Sequence, residues 1–230
     1  MPVLPDPPAA ETAIIELTNA FRATQKLAPV RQNPTLAAAA RAYAKKLIAF
    51  QGLSHTADGT TPAQRVTSAG YSYCELSENL ASILARRSLT TDEYARRTVT
   101  GWENSPGHRK NMLLPHVTET GVGVVRVSPN EPKYIAVQLF ARPEAAKYSF
   151  KIRNEAPSTI AYRFNDTPNT VSPRQIITHT TCLPGTIAFE TTDAPNVKAR
   201  YETRAGQVYS LKPTSTGVTV EVNGQSIGRD

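Results

Sequence analysis

The spacing of apolar residues changes period along the chain, and that change limits the folds open to it. Through the first half the period is helical. "ETAIIELTNAFRATQKL" sets Ile14, Leu17 and Phe21 on one face, and "NPTLAAAARAYAKKLIAF" opens at Pro34 and carries a stripe of Leu36, Ala40, Tyr43, Ala44 and Leu47. "DGTTPAQRVTSAGY" reads as a turn and a short helix from Pro62 to Gly70. "TTDEYARRTVTGW" has a threonine cap, two acids in its first turn and an apolar face of Ala95, Val99 and Trp102. From Thr120 the period falls to two. Val122, Val124 and Arg126 alternate with Gly123, Val125 and Val127, a turn falls at Pro129, Asn130 and Pro132, and a strand returns over Tyr134 to Phe140. Both strands are apolar enough to be covered on both faces.

Residues 146–230 keep the short period. Seven runs recur about every ten residues: "YSFKIRN", "TIAYRFN", "RQIITHT", "TIAFET", "VKARYET", "VYSLKP" and "VTVEVN". Turn signals at Pro157, residues 166–169, Pro184-Gly185, residues 193–196, Gly206 and Asn223-Gly224 divide them. The pattern predicts a small β-sandwich, with the boundary between Pro143 and Lys147. The expected order is therefore a Pro-rich leader over 1–9, a mixed α+β domain over 10–145 and an all-β domain over 146–230.

The whole chain of 230 residues contains 26 Lys and Arg against 19 Asp and Glu, a net charge of +7 spread over both halves. This favours an anionic partner such as a cell-wall polymer or lipid headgroup. Nucleic acid would need a basic groove interleaved with aromatics, and none is legible. The nearest patch, Arg86, Arg87, Arg96 and Arg97, reads as a solvated face. No apolar run reaches membrane-spanning length. "MPVLPDPPAAETA" lacks a basic start and an apolar centre, so it reads as a Pro-rich leader left after a signal peptide is removed, or as an artificially introduced start. The two cysteines, Cys74 and Cys182, fall in different predicted domains. They form one interdomain disulfide, worth ~4–5 kcal/mol for so long a loop, or remain two thiols.

Three ionisable residues carry potential chemistry. His55 lies in the loop "LSHTADGT", Glu78 in the short segment "LSENLAS", and His108 in "GWENSPGHRKNM". Asn104 ends one helix there, Ser105 can cap the next, and Pro106 takes its first position. A helix N-terminus disfavours a cation, so His108 is expected to be neutral. Two neutral imidazoles and a carboxylate suit a divalent metal or general acid–base work. Taken singly, the three read as a loop histidine, a surface glutamate and a histidine hydrogen-bonded near a helix start.

The ordered run "NPTLAAAARAYA … SHTADGTTPAQRVTSAGYSY … SENLA … GWENSPGHRKNM … TETGVGV … YIAVQLFA" resembles the CAP superfamily of cysteine-rich secretory, antigen 5 and pathogenesis-related proteins, and its bacterial branch above all. The resemblance covers about residues 10–142. It implies an α-β-α sandwich with a small antiparallel sheet. It also implies a cleft where His55, Glu78 and His108 meet, which in some members holds zinc or magnesium. The second glutamate usual in animal and plant members is replaced by Ser105, and their cysteine-rich tail and sterol-linked loop are absent.

The leading functional reading is an exported bacterial protein, secreted or periplasmic and monomeric, that binds a lipid or another cell-envelope component. The alternative is a metal-dependent hydrolase, peptidase-like or acting on the cell wall, built on His55, Glu78 and His108. A third reading is a structural or adhesive protein with a vestigial cleft. No Gly-x-Ser-x-Gly or metalloprotease motif is present.

Overall fold

Four of the five α-helices found among the described residues open on a proline. In a computed structural model, residues 3–50, 52–84, 88–129, 131–190 and 200–226 are described. The helices are α1 (Pro7–Thr24), α2 (Pro34–Leu47), α3 (Pro62–Ser68), α4 (Thr91–Glu103) and α5 (Pro106–Met112). Proline lacks the N–H that a first helical position would leave unpaired, and its fixed φ suits the turn. Asp6 accepts from Ala9 N, Asn33 from Thr35 N and Leu36 N, and Thr61 and Thr90 form capping boxes with Gln64 and Glu93. Helix α1 thus includes Pro7, Pro8 and Ala9. Ser105 is a correction. It holds the cap position of α5, but its hydroxyl makes no cap hydrogen bond, and its carbonyl accepts from Arg109 N at 2.8 Å. The start of α5 is set by Pro106 instead.

The chain divides into two compact units, Met1–Ala145 and Ala146–Asp230. In the first, β1 (Arg31–Gln32), β2 (Tyr73–Leu84), β3 (Glu119–Ser128) and β4 (Glu131–Pro143) form one sheet in the order β1-β3-β4-β2. The β2–β4 and β3–β4 pairs are antiparallel and β1–β3 is parallel, so the sheet is mixed rather than purely antiparallel. Alternation along the central strands splits the core. Val122, Val124, Tyr134, Ala136 and Phe140 pack with α1 and α4, whereas Ile135, Val137, Leu139 and Ala141 pack with α2 and α3. This is the three-layer α-β-α arrangement.

Gly121 and Gly123 explain why "TGVGVV" alternates glycine with valine. Both fall on the α2 side, where the helix backbone lies directly on the sheet. A Cβ on Gly121 would sit 2.2 Å from Ala37 N, and one on Gly123 2.2 Å from Arg41 N. The alanines of α2 serve the same close approach. Glu11 locks it, because its buried carboxylate accepts both Arg41 Nε and the Val124 backbone N–H.

The second unit contains β5 (Tyr148–Asn154), β6 (Ile160–Phe164), β7 (Thr167–Val171), β8 (Ile176–Thr181), β9 (Thr186–Glu190), β10 (Arg200–Glu202), β11 (Val208–Pro213), β12 (Val218–Val222) and β13 (Gln225–Ser226). They make two sheets, β10-β9-β6-β7 and β13-β12-β11-β5-β8, which share one core including Phe150, Ile152, Tyr162, Ile187, Phe189 and Tyr209. Among the described residues nine strands stand where seven were expected. Residues 166–169 are not one turn. Asn165 and Asp166, at φ 48° and 65°, form a two-residue hairpin loop, and Pro168 lies in edge strand β7. Asn223 and Gly224 turn β12 into β13 in the same way, at φ 51° and 77°. Asn130, residues 193–196, Arg86 and Arg87 lie outside the described residues.

Both cysteines are disulfide-bonded, and neither is a free thiol. No helix among the described residues is long and apolar enough to cross a membrane.

Candidate binding site

Glu78 sits in the middle of a twelve-residue strand rather than in a short segment. Strand β2 is at the edge of its sheet, and its Leu76 and Leu80 face α2 and α3. Glu78 shares that face, so its side chain is almost wholly buried, at 2 % exposure. A buried carboxylate needs partners. Two elements supply them: Arg65 Nη2 of α3 donates to both oxygens, at 3.0 and 2.8 Å, and His55 Nδ1 lies 2.8 Å from Oε1. A carboxylate only accepts, so the His55 proton is on Nδ1.

The loop carrying His55 is held from both sides. The Tyr43 hydroxyl of α2 donates to the Ser54 carbonyl and accepts from Ala57 N. Arg65 Nη1 donates to the carbonyls of His55 and Thr60, at 3.1 and 2.7 Å, and the guanidinium stacks 3.3 Å above the Tyr43 ring. Arg65 therefore fixes the loop and neutralises Glu78 at once.

His108 reaches the same region through the backbone of its helix. Asn79 Nδ2 donates to the His108 carbonyl at 3.2 Å. Asn111 Nδ2 donates to the Glu78 carbonyl and to Asn79 Oδ1, at 3.1 and 2.9 Å. Trp102 Nε1 of α4 donates to the Leu80 carbonyl at 2.9 Å. The "GWENSPGHRKNM" stretch thus satisfies the exposed edge of the "SENLA" strand. Burial pushes the His108 imidazole below its ordinary pKa, and the nearby His55 ring adds to this. The direction agrees with the expected neutral imidazole, with burial rather than the helix terminus as its leading cause. The far end of α5 is pinned by buried Arg22, which donates to the carbonyls of Met112 and Leu114, at 2.7 and 3.0 Å.

Sequence reasoning missed Arg65, Tyr43 in this role, Asn79, Asn111 and Arg22. Arg22 left a signal, since it falls in the stripe Ile14, Ile15, Thr18, Arg22 that α1 buries. Arg65 left none, because α3 spans only two turns.

In this arrangement Glu78 is not free to coordinate a zinc or magnesium ion directly. Both oxygens of Glu78 are engaged, and the Arg65 cation beside them opposes a second cation. Among the described residues, no group of three or more His, Cys, Asp or Glu side chains is arranged to hold a metal. Glu78 acts here as the carboxylate that orients His55.

A profile of the cysteine-rich secretory protein family (CAP) matches residues 15–140. The chain belongs to this family. Among curated proteins, the uncharacterized protein YkwD of Bacillus subtilis (strain 168) is 36% identical over 118 residues, which is 51% of this chain and 43% of YkwD. The chain thus matches less than half the length of that relative. Among solved structures, an outer surface protein from Borrelia burgdorferi superposes with a TM-score of 0.53 and 26% identity, over 63% of this chain and all of that one. An extracellular SCP-domain protein from Bacillus anthracis gives a TM-score of 0.48 and 26% identity, over 59% of this chain and 41% of that one. The matches to YkwD and to the Borrelia protein mark a CAP domain of the bacterial type.

Alongside the His55–Glu78–Arg65 cluster runs a groove of about 490 Å³ between α2 and α3. It is lined by Ala38, Ala39, Ala42 and Ala69 together with Tyr43, Lys46, Thr60, Gln64, Arg65 and Ser68. The size is that of a small-ligand site, and its exposed wall surface is mostly apolar.

Proposed function

We propose that this CAP-domain protein works outside the cytoplasm as a binding module for an amphipathic component of the cell envelope, a lipid in the first instance. The observation that carries the reading is the groove lined by four alanines together with Tyr43, Lys46 and Arg65. An acyl chain replaces water along the apolar wall surface, at about 25 cal/mol per Å² buried. The polar end meets the Arg65 and Lys46 cations and the His55 loop. Export is supported by the two bonded cysteines, which suit an oxidising compartment, and by the resemblance to a protein named for the outer surface of its cell. The engagement of Glu78 by Arg65 supports binding over hydrolysis, since it leaves that carboxylate without a free oxygen to act as base.

The test is extraction of the purified protein with organic solvent and mass spectrometry of what it carried, followed by displacement of a fluorescent fatty acid. Ala42 is exposed and lines the groove, so Ala42→Trp fills the groove without disturbing the core. The parent should bind and Ala42→Trp, with an unchanged melting temperature, should not. Equal binding by both, or none by the parent, overturns the reading.

A further inference from the structure

Six large apolar side chains among the described residues are exposed, and four of them gather at one end of the first unit. Ile48, Phe50 and Leu53 follow the end of α2, at 38, 41 and 39 % exposure, and Leu84 ends β2 at 45 %. Phe50, Leu53 and Lys133 line one small cavity of about 100 Å³, and Leu84 is paired with Lys133 across the β2–β4 ladder. Lys45 is exposed in the last turn of α2, beside Lys46. Lys46 is held by Asp58 at 2.7 Å, whereas Lys45 and Lys133 have no ion pair among the described residues. An exposed apolar tip flanked by lysines has thus formed on two elements distant in sequence.

We infer that this tip docks on an anionic phospholipid bilayer. The inference rests on the lipid-binding reading above and names the surface from which such a ligand would be collected or delivered. Phe, Leu and Ile on a protruding loop can enter the boundary between headgroups and acyl chains, while lysines beside them lie level with the phosphates. Each lysine near an anionic surface contributes roughly fivefold in binding, and the net charge of +7 adds a long-range attraction. Charge favours a lipid surface over a protein partner: protein interfaces are depleted in lysine, and among the described residues the cations beside this patch are Lys45, Lys46 and Lys133.

The test is sedimentation of the full chain with mixed phosphatidylglycerol–phosphatidylcholine vesicles and with pure phosphatidylcholine vesicles at low salt. The parent should bind the mixed vesicles and leave the pure ones. Phe50→Asp with Leu53→Asp should abolish binding, and because both side chains are exposed the melting temperature should change little. Lys45→Glu and Lys133→Glu should each weaken it at least about fivefold, and they keep the test open if the aspartate pair disturbs folding. Ala42→Trp should bind vesicles like the parent even though it loses the fatty acid, which separates failure of the docking surface from failure of the groove. No binding to the mixed vesicles, equal binding to both vesicle types, or lysine variants that bind like the parent would each overturn the inference.

Discussion

Arg65 Nη2 donates to both carboxylate oxygens of Glu78, at 3.0 and 2.8 Å, and both side chains are largely shielded from solvent. The pair decides how this cleft treats cations. Arg65→Met leaves a buried carboxylate next to His55 and His108 without its counter-charge, which should destabilise the protein by about 3–5 kcal/mol. Zinc should then recover much of that loss in the variant, by binding the native state alone, while leaving the parent unmoved. Thermal unfolding of both proteins with and without zinc checks this. A parent that zinc stabilises, with the effect gone in His108→Ala, would restore the three-ligand metal site.

Trp102 joins core to cleft. It is buried, and its indole nitrogen closes the Leu80 carbonyl on the edge of β2. Trp102→Ala should cost ~3–5 kcal/mol, as for other large aromatics removed from cores. Trp102→Phe keeps most of the bulk but strands a carbonyl, and should still cost about 1–3 kcal/mol. Urea unfolding of the three proteins gives the comparison. A loss below about 1 kcal/mol for the alanine variant is incompatible with this packing.

Much of this architecture can be read from residue spacing, because the physics that sets it is local. The helical stripes in α2 and α4 and the valine alternation in β3 are periodic burial on one face, and they appear where the spacing puts them, whereas in α1 Leu17 and Phe21 are only partly buried and the buried face runs through Ile14, Ile15, Thr18 and Arg22. Strand β2 is illegible because its faces are mixed. Glu78 interrupts Leu76 and Leu80 on one side, and Glu75, Ser77 and Asn79 occupy the other. That interruption is the site itself. A buried charge makes sense only once Arg65 is beside it, and a separation of 13 residues across a turn carries no periodic signal. The turns at Asn165-Asp166 and Asn223-Gly224 show the opposite case. The second is visible as Asn-Gly, while the first is easily misplaced because Pro168 draws the turn towards itself, although an edge strand tolerates proline.

Two glycines of the first unit should respond in opposite directions to the same substitution. Gly123→Ala sets a methyl 2.2 Å from the backbone of α2, which cannot give way without moving the helix. It should cost ~3 kcal/mol or more. Gly101 lies inside α4, and a Cβ added there would meet no atom within 4 Å, so Gly101→Ala should stabilise by about 0.5–1 kcal/mol through helix propensity alone. Chemical denaturation of both variants tests the close approach. A neutral Gly123→Ala would mean that α2 does not lie on the sheet as described.

Cys74 and Cys182 are the only cysteines of the chain and both are bonded. Protein purified without reductant should therefore gain about 2 Da in denatured intact mass on reduction, since each restored thiol takes up one hydrogen. Two groups that react with maleimide before reduction would contradict it.

The second unit contains a histidine whose charge its surroundings resist. The His179 ring stacks on Phe150 with centroids 5.1 Å apart, lies against Tyr162 and Phe164, and has its Nε2 2.7 Å from the Tyr162 hydroxyl. Burial lowers its pKa from the ordinary value. The folded state therefore takes up this proton less readily than the unfolded chain, so the stabilisation is complete above the unfolded value of about 6.5 and is lost as pH falls below it. His108 is shifted in the same direction and adds to the slope over the same window. His179→Gln removes one titrating ring, so between about pH 7 and pH 5 its stability should fall less steeply than that of the parent. Urea midpoints across that range, read by far-ultraviolet circular dichroism, give the two slopes. If they coincide, His179 protonates in the folded state as readily as in the unfolded chain, and the aromatic packing around it does not resist the charge.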